Sequence, residues 1–195
     1  MLTIFLALHC LFTPPDGFEI ADPKTPAKRA IVGFVDKSKS GFCPSLNLTH
    51  ETVNIPMKEY LAIVQKNCQA KKQKWRQLGT IKTQSGNAHL VEIETPTQFG
   101  PVRLLQAILQ KEDDIFILTA GTLKKDFGKH ASKIERSFRS MSICEDLFAL
   151  AEKDAKPLRE AWQKKKNGIE STSFEEKVLE LKRLGLVWQL YMGAL

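Results

Sequence analysis

The stretch that decides the fold is KWRQLGTIKTQSGNAHLVEIETPTQFGPVRLLQAILQKEDDIFILTA, residues 74–120. Four segments within it are rich in apolar and β-branched residues, which favour strands; they are 75–83, 88–95, 102–109 and 115–120. Turn-forming sequences separate them: Ser85-Gly86-Asn87, Thr97–Pro101 and Lys111–Asp114. Because connections this short leave no room for a crossover helix, the four segments are predicted to pair consecutively as an antiparallel sheet.

Upstream of this stretch, the sequence predicts three further strands and one helix. The strand segments are Phe18–Ala21, Ala30–Val35 and Ser45–Thr49. Pro56 marks the start of the helix, because proline is tolerated at the first helical position. An apolar stripe at helical spacing follows and predicts one buried face; it consists of Met57, Tyr60, Leu61, Val64 and Cys68.

A second helix is predicted downstream, beginning near Thr122, whose hydroxyl suits an N-cap. Its apolar stripe consists of Phe127, Ala131, Ile134, Phe138 and Met141. The opposite face carries Lys125, Lys129, Lys133 and Arg136. Because residues three or four apart are neighbours on a helix, we interpret these cations as a candidate patch for an anionic partner. An ordinary solvated face is the alternative interpretation of the same charges.

Several short motifs, in this order of elements, resemble the PsbP-like family. They are PDGFEIA (15–21), GFCPSLNL (41–48), MKEYL (57–61), LQAI (105–108) and ILTA (117–120), the last followed by a helix that ends in Ser137-Phe138. The family includes photosystem-associated lumenal proteins, bacterial DcrB-type envelope proteins and Ran-binding Mog-type proteins. The resemblance implies an α+β protein, an α/β/α sandwich with a central antiparallel sheet.

The resemblance implies a binding or accessory role, with few functional residues shared across the family. No site residue is carried over, and nothing in the sequence matches the N-terminal extension by which photosynthetic members engage their complex. We therefore expect a non-enzymatic binding or accessory protein of the bacterial envelope, with an unidentified protein partner. An anionic surface or membrane is a further candidate partner.

The N-terminus has a different character from the domain that follows. Residues 1–13 are an apolar run that resembles a signal segment and is followed at once by the helix-breaking prolines Pro14 and Pro15, although no basic residue precedes it. We predict residues 14–142 to be the PsbP-like domain, and export of the protein to the periplasm or envelope. The alternative interpretation is a cytoplasmic protein whose N-terminal residues form a buried strand.

Residues 143–195 are predicted to form a C-terminal two-helix extension, with helices near 143–165 and 173–191. Ser142 with Glu145, and Ser173 with Glu176, have the spacing of capping boxes that begin helices. Either the extension packs on the domain, or it provides the partner surface of an intracellular protein–protein adaptor. Deleting residues 144–195 would separate these two interpretations.

The positive charge is concentrated in the predicted domain. The formal net charge is +7; residues 1–142 hold 20 Lys and Arg against 13 Asp and Glu, whereas residues 143–195 hold nine of each. A basic surface attracts acidic partners, but the sequence does not favour nucleic acid as the partner, because no RNA-binding signature accompanies the charge.

The cysteines and histidines do not form a motif that commits the chain to a reaction. Cys10, Cys43, Cys68 and Cys144 are irregularly spaced, which favours free thiols, although a Cys43–Cys68 or Cys68–Cys144 bridge stays open. No histidine pair has metal-ligand spacing. His89 lies in mid-strand, where it is expected to face water or to make a core hydrogen bond.

Two constellations were candidates for chemistry. A Cys43–His89 nucleophilic pair would need an oriented base and a lowered thiol pKa, which the sequence does not supply. Glu92 and Glu94 share one strand face and are better explained as cross-strand ion-pair partners of Arg103. We therefore predict no catalytic residue, no cofactor and no metal site.

Overall fold

A computed structural model describes residues 8–21, 30–37 and 41–146, together with residues 156, 157, 159, 160 and 164. The described strands are β1 His9–Leu11, β2 Glu19–Ile20, β3 Ala30–Val35, β4 Ser45–Thr52, β5 Lys74–Thr83, β6 Gly86–Thr95, β7 Val102–Lys111, β8 Asp114–Leu123 and β9 Ser142–Cys144. The described helices of at least two turns are α1 Met57–Ala70 and α2 Phe127–Arg139.

The central sheet has the order β2-β3-β4-β8-β7-β6-β5, and every pairing is antiparallel. The fold-deciding stretch supplies β5 to β8, each ten residues long, paired consecutively as predicted. The turn from β5 to β6 depends on Gly86, whose φ of +117° is a conformation that residues with a side chain rarely adopt.

Each face of the sheet is covered by one helix. On β7, Leu105, Ala107 and Leu109 belong to a buried cluster with Ile134 and Phe138 of α2. Leu104 and Ile108, which point to the other face because strand side chains alternate, belong to a second cluster with residues of α1. The predicted α+β class and the α/β/α sandwich are therefore confirmed.

The start of the second helix was predicted wrongly. Thr122 is not its N-cap but a residue of β8 that is 1% exposed and pairs with Arg103. A 3-10 turn follows at Lys124–Asp126, and α2 begins only at Phe127. The strand continues because its backbone has a full partner in β7 as far as Leu123, so sheet pairing prevails over the local capping signal.

The N-terminal segment contributes to the core. Strand β1 pairs with β9 in a separate two-stranded sheet. Leu11 and Phe12 are each 4% exposed, and the Phe12 ring meets Phe34 edge-on, with ring centroids 5.8 Å apart. The burial agrees with the alternative interpretation of the N-terminus, in which these residues form a buried strand.

The expected helix start at Ser142 is also wrong. Residues Ser142–Cys144 are strand β9, which antiparallel pairing with His9–Leu11 holds in an extended conformation. Strand pairing thus continues beyond the predicted domain end at residue 142. Residues 156, 157, 159, 160 and 164 are helical, whereas the rest of the predicted two-helix extension lies outside the described residues.

None of the four cysteines forms a disulfide bond, so neither of the two bridges left open by the sequence is formed. Burial raises the pKa of Cys10 to about 12, and also raises the pKa values of Cys68 and Cys144. A protonated thiol is a poor nucleophile. Cys43, which lies in the loop before β4 and is partly exposed, is therefore the thiol that is best placed to react.

We accordingly expect native protein at pH 8 to show one fast thiol with Ellman's reagent, and four in denaturant without reductant. A Cys43→Ser variant is expected to lose the fast phase, whereas Cys68→Ser keeps it. Fewer than four thiols in denaturant would contradict the absence of disulfide bonds.

Candidate functional site

The predicted basic patch is divided in the structure. Lys129, Lys133 and Arg136 lie on α2, on the side away from the buried Ile134 and Phe138. Lys125 lies before the helix, in the 3-10 turn, and is exposed. With Lys124 it borders a different depression beside Phe99 and Pro101. Lys125 is therefore not part of the helical surface that carries the other three cations.

A groove lies beside the C-terminal half of α2 and has a volume of about 380 Å³. One wall is the segment Thr13–Asp16, and the other carries Lys133, Arg136 and Arg139. The Thr13 backbone N–H donates to Ser140 Oγ at 2.8 Å, which fixes this segment against the end of the helix. Arg139 was absent from the predicted patch, since nothing in the helix pattern showed that the N-terminal segment passes beside it.

Asp16 connects the two walls of this groove. Arg136 Nη2 donates to its carboxylate oxygen Oδ2 at 2.8 Å, and Lys133 Nζ donates to its backbone carbonyl oxygen at 2.8 Å. Asp16 stands in a turn in which the Phe18 N–H donates to the Pro15 carbonyl at 3.0 Å and Gly17 has φ +81°. The arrangement shows that this surface holds a carboxylate.

The other cations of α2 have acidic neighbours on the same helix or next to it. Lys129 pairs with Asp126 at 2.5 Å, and Arg139 makes hydrogen bonds of 2.7 and 2.8 Å to Glu135. The side chains of Arg136 and Asp16 are 62% and 78% exposed. Ion pairs this exposed contribute only about 0–1 kcal/mol, so an external anion can replace Asp16 at little cost.

Cys43 and His89 are far apart in the sheet. His89 aligns across the strands with Ile108, Ile117 and Thr49. Cys43 precedes Thr49 by six residues and lies three strands away from His89. At about 3.3 Å per residue and about 4.8 Å per strand, they are separated by roughly 20 Å along the strands and 14 Å across them, so they do not form a nucleophilic pair.

The glutamates of β6 form the predicted ion pairs only in part. Glu92 Oε2 lies 3.1 Å from Arg103 Nε, and Glu92 Oε1 lies 3.1 Å from Arg76. Glu94 instead pairs with Lys124 at 2.7 Å and with Lys74 at 3.6 Å. The hydrogen bond from Lys124 is the main cause that lowers the pKa of Glu94. The ionised form of Glu94 is thus favoured, as a structural ion pair requires.

Among the residues that the structure describes, no group of three or more His, Cys, Asp or Glu side chains is placed to hold a metal ion. In the same part of the chain, no helix is long and apolar enough to cross a membrane.

His89 and Trp75 have an environment that the sequence did not predict. Both side chains face α1 and line a second groove, between the start of that helix and strands β5 and β6. The Trp75 Nε1 and His89 Nδ1 atoms are buried without a hydrogen-bond partner. His89 Nδ1 thus neither faces water nor makes a core hydrogen bond, and the pattern of one strand could not have shown this.

Solved structures of similar fold are known. CyanoP, the cyanobacterial PsbP of Synechocystis sp. PCC 6803, is 10% identical, with a TM-score of 0.50 over 74% of this chain and 97% of CyanoP. LpqN of Mycobacterium tuberculosis, described as involved in cell envelope biogenesis, is 12% identical, with a TM-score of 0.50 over 70% and 84% of the two chains.

The chain has the PsbP-like fold. The Ran-binding protein Mog1p of Saccharomyces cerevisiae is 21% identical over 67% of this chain and 80% of Mog1p, at a lower TM-score of 0.42. No protein-family model and no curated protein matches the sequence. At these identities the likeness establishes the PsbP-like fold alone, because one fold carries many functions.

Proposed function

We propose that this protein is a non-enzymatic binding module of the bacterial envelope that docks an acidic protein partner on the exposed side of α2. The observation that carries the proposal is the Asp16 carboxylate held by Arg136 in a groove that Lys133 and Arg139 also line. A partner's aspartate or glutamate would take the same position. Because the internal ion pair is exposed and weak, the exchange requires no rearrangement of the core.

The envelope location is supported by two weaker observations. The apolar run at residues 1–13 resembles a signal segment, although its residues Leu11 and Phe12 are buried in the core and are expected to stay in the mature chain. One protein of the same fold, LpqN, is described as involved in cell envelope biogenesis. The intracellular adaptor remains the alternative. Its partner surface would be the C-terminal helices, most of which lie outside the described residues.

In-cell photo-crosslinking tests the docking surface. A photo-reactive amino acid at Ser132, which is exposed between Lys129 and Arg136, is expected to give a discrete adduct with another protein. The matched control position is Ile63, which is 50% exposed on α1, on the opposite layer of the sandwich. An adduct from Ile63 but none from Ser132 would contradict the proposed surface. Cell fractionation of the same tagged protein tests the location.

Replacing Asp16 by asparagine is expected to strengthen binding of the acidic partner. The change removes the internal carboxylate that competes for Arg136, while stability changes by less than about 1 kcal/mol because the pair is exposed. The measurement is the Ser132 adduct yield in cells at equal protein level. Glu135→Gln, which removes the Arg139 partner, is a second variant expected to act in the same direction. A lower yield from both variants would count against competition by internal carboxylates.

A further inference from the structure

A second groove, on the opposite layer of the sandwich from Asp16, lies where the first turns of α1 cross strands β5 and β6. Its volume is about 290 Å³. Met57 and Leu61 of α1 provide apolar surface, whereas Trp75 of β5 and His89 of β6 lie across from them. The groove is close in size to the smaller pockets that bind small organic molecules.

Two of the residues that line this groove each carry a buried polar atom without a hydrogen-bond partner, which is unusual for a protein interior. Trp75 Nε1 and His89 Nδ1 are both buried and have no hydrogen-bond partner within the protein. Leaving such a group unpaired costs about 1–3 kcal/mol, and nearly all buried polar groups in proteins are paired. Trp75 and His89 are only partly buried and both line the groove, so a small rotation of each ring would turn its unpaired atom towards a ligand with matching polar atoms.

The hydrogen-bond donors of the groove restrict the ligand to one that carries an acceptor. The indole Nε1–H of Trp75 can only donate, so it requires an acceptor. Lys58, an exposed cation of α1, lines the same groove and has no ion-pair partner among the described residues. An ammonium group and an N–H donor at one site favour an anionic acceptor, because charge-assisted hydrogen bonds are roughly twice as strong as neutral ones.

We propose that this groove binds a small organic carboxylate with an apolar body. Once the rings have rotated, the carboxylate accepts a hydrogen bond from Trp75 Nε1 and pairs with Lys58. The apolar body packs on Met57 and Leu61. The His89 imidazole, whose two nitrogens can exchange donor and acceptor roles, pairs with the second carboxylate oxygen by donating from Nδ1. This ligand site is independent of the docking surface proposed on α2.

The test is two-dimensional ¹H–¹⁵N NMR of the full chain, titrated with benzoate and, in parallel, with benzamide. The chain contains three tryptophans, and the Trp75 indole signal is assigned by its loss in Trp75→Phe. We expect benzoate to shift this signal saturably. Benzamide, which has the same ring without the charge, is expected to bind about tenfold more weakly, as loss of a charge-assisted bond implies.

Two lysine substitutions test whether benzoate binding depends on Lys58. Lys58→Met keeps the length of the exposed side chain and is expected to weaken benzoate binding about tenfold without affecting benzamide. Lys66→Met, at an exposed position of the same helix, is expected to leave both affinities unchanged. The proposal is overturned if the Trp75 signal does not move at tens of millimolar benzoate, which would mean that only water occupies the groove. Equal shifts with benzamide, or no effect of Lys58→Met, would also overturn it.

Discussion

Replacing Phe138 by alanine is expected to lower the free energy of unfolding by about 3–5 kcal/mol, the usual cost of emptying a buried phenylalanine site. The Phe138 side chain is 0% exposed and, with Ile134, attaches α2 to the sheet. The loss should be visible as a lower midpoint in urea-induced unfolding. Because the helix also carries Lys133 and Arg136, the Ser132 crosslink should weaken as well.

The matched control for this prediction is Phe99→Ala. Phe99 is 49% exposed in the turn between β6 and β7, so its removal should cost no more than about 0.5–1 kcal/mol. Equal destabilisation by the two substitutions would mean that α2 is not anchored through Phe138.

The second large effect is expected for Phe12→Ala, at about 3 kcal/mol. Phe12 packs edge-on against Phe34 and is 4% exposed, beside the equally buried Leu11. Phe12→Leu, which keeps most of the apolar volume, should cost less than half as much. Thermal unfolding of the three proteins measures the difference. If Phe12→Ala is as stable as the parent chain, the N-terminal segment is not part of the core.

This burial has a consequence for export. Cleavage after residue 13 would remove Leu11 and Phe12 from the core, together with the strand that pairs with Ser142–Cys144. We therefore expect the mature chain to retain both residues, in whichever compartment it is found. The intact mass of the purified protein with a C-terminal tag decides this. A stable mature chain that begins at Pro14 or later would contradict it.

The central sheet was predictable because its signals are local and repeated. Strands β5 to β8 are rich in apolar and β-branched residues and are joined by short turns, so neither their existence nor their pairing depended on distant residues. Thr122 and Ser142 show the limit of the same reasoning. Both look like helix caps locally, yet a partner strand, β7 in one case and the N-terminal β1 in the other, holds each in an extended conformation.

The candidate sites were less predictable, because they too depend on residues that are distant in the sequence. The helical spacing placed Lys129, Lys133 and Arg136 on one surface, but it could not show that Asp16, 120 residues before Arg136, lies in contact with them. The groove at Trp75 and His89 combines β5, β6 and α1. Its unpaired atoms become apparent only when all three elements are assembled.

The most direct test of the proposed binding surface is the yield of the Ser132 crosslink after charge reversal. The double variant Lys133→Glu, Arg136→Glu is compared with Lys66→Glu, Lys71→Glu. The second variant reverses the same number of positive charges, in α1 at Lys66 and at its C-cap Lys71. Repulsion of an acidic partner predicts that the α2 variant loses the adduct while the α1 variant keeps it. An adduct of equal yield in the parent chain and the α2 variant would contradict the account.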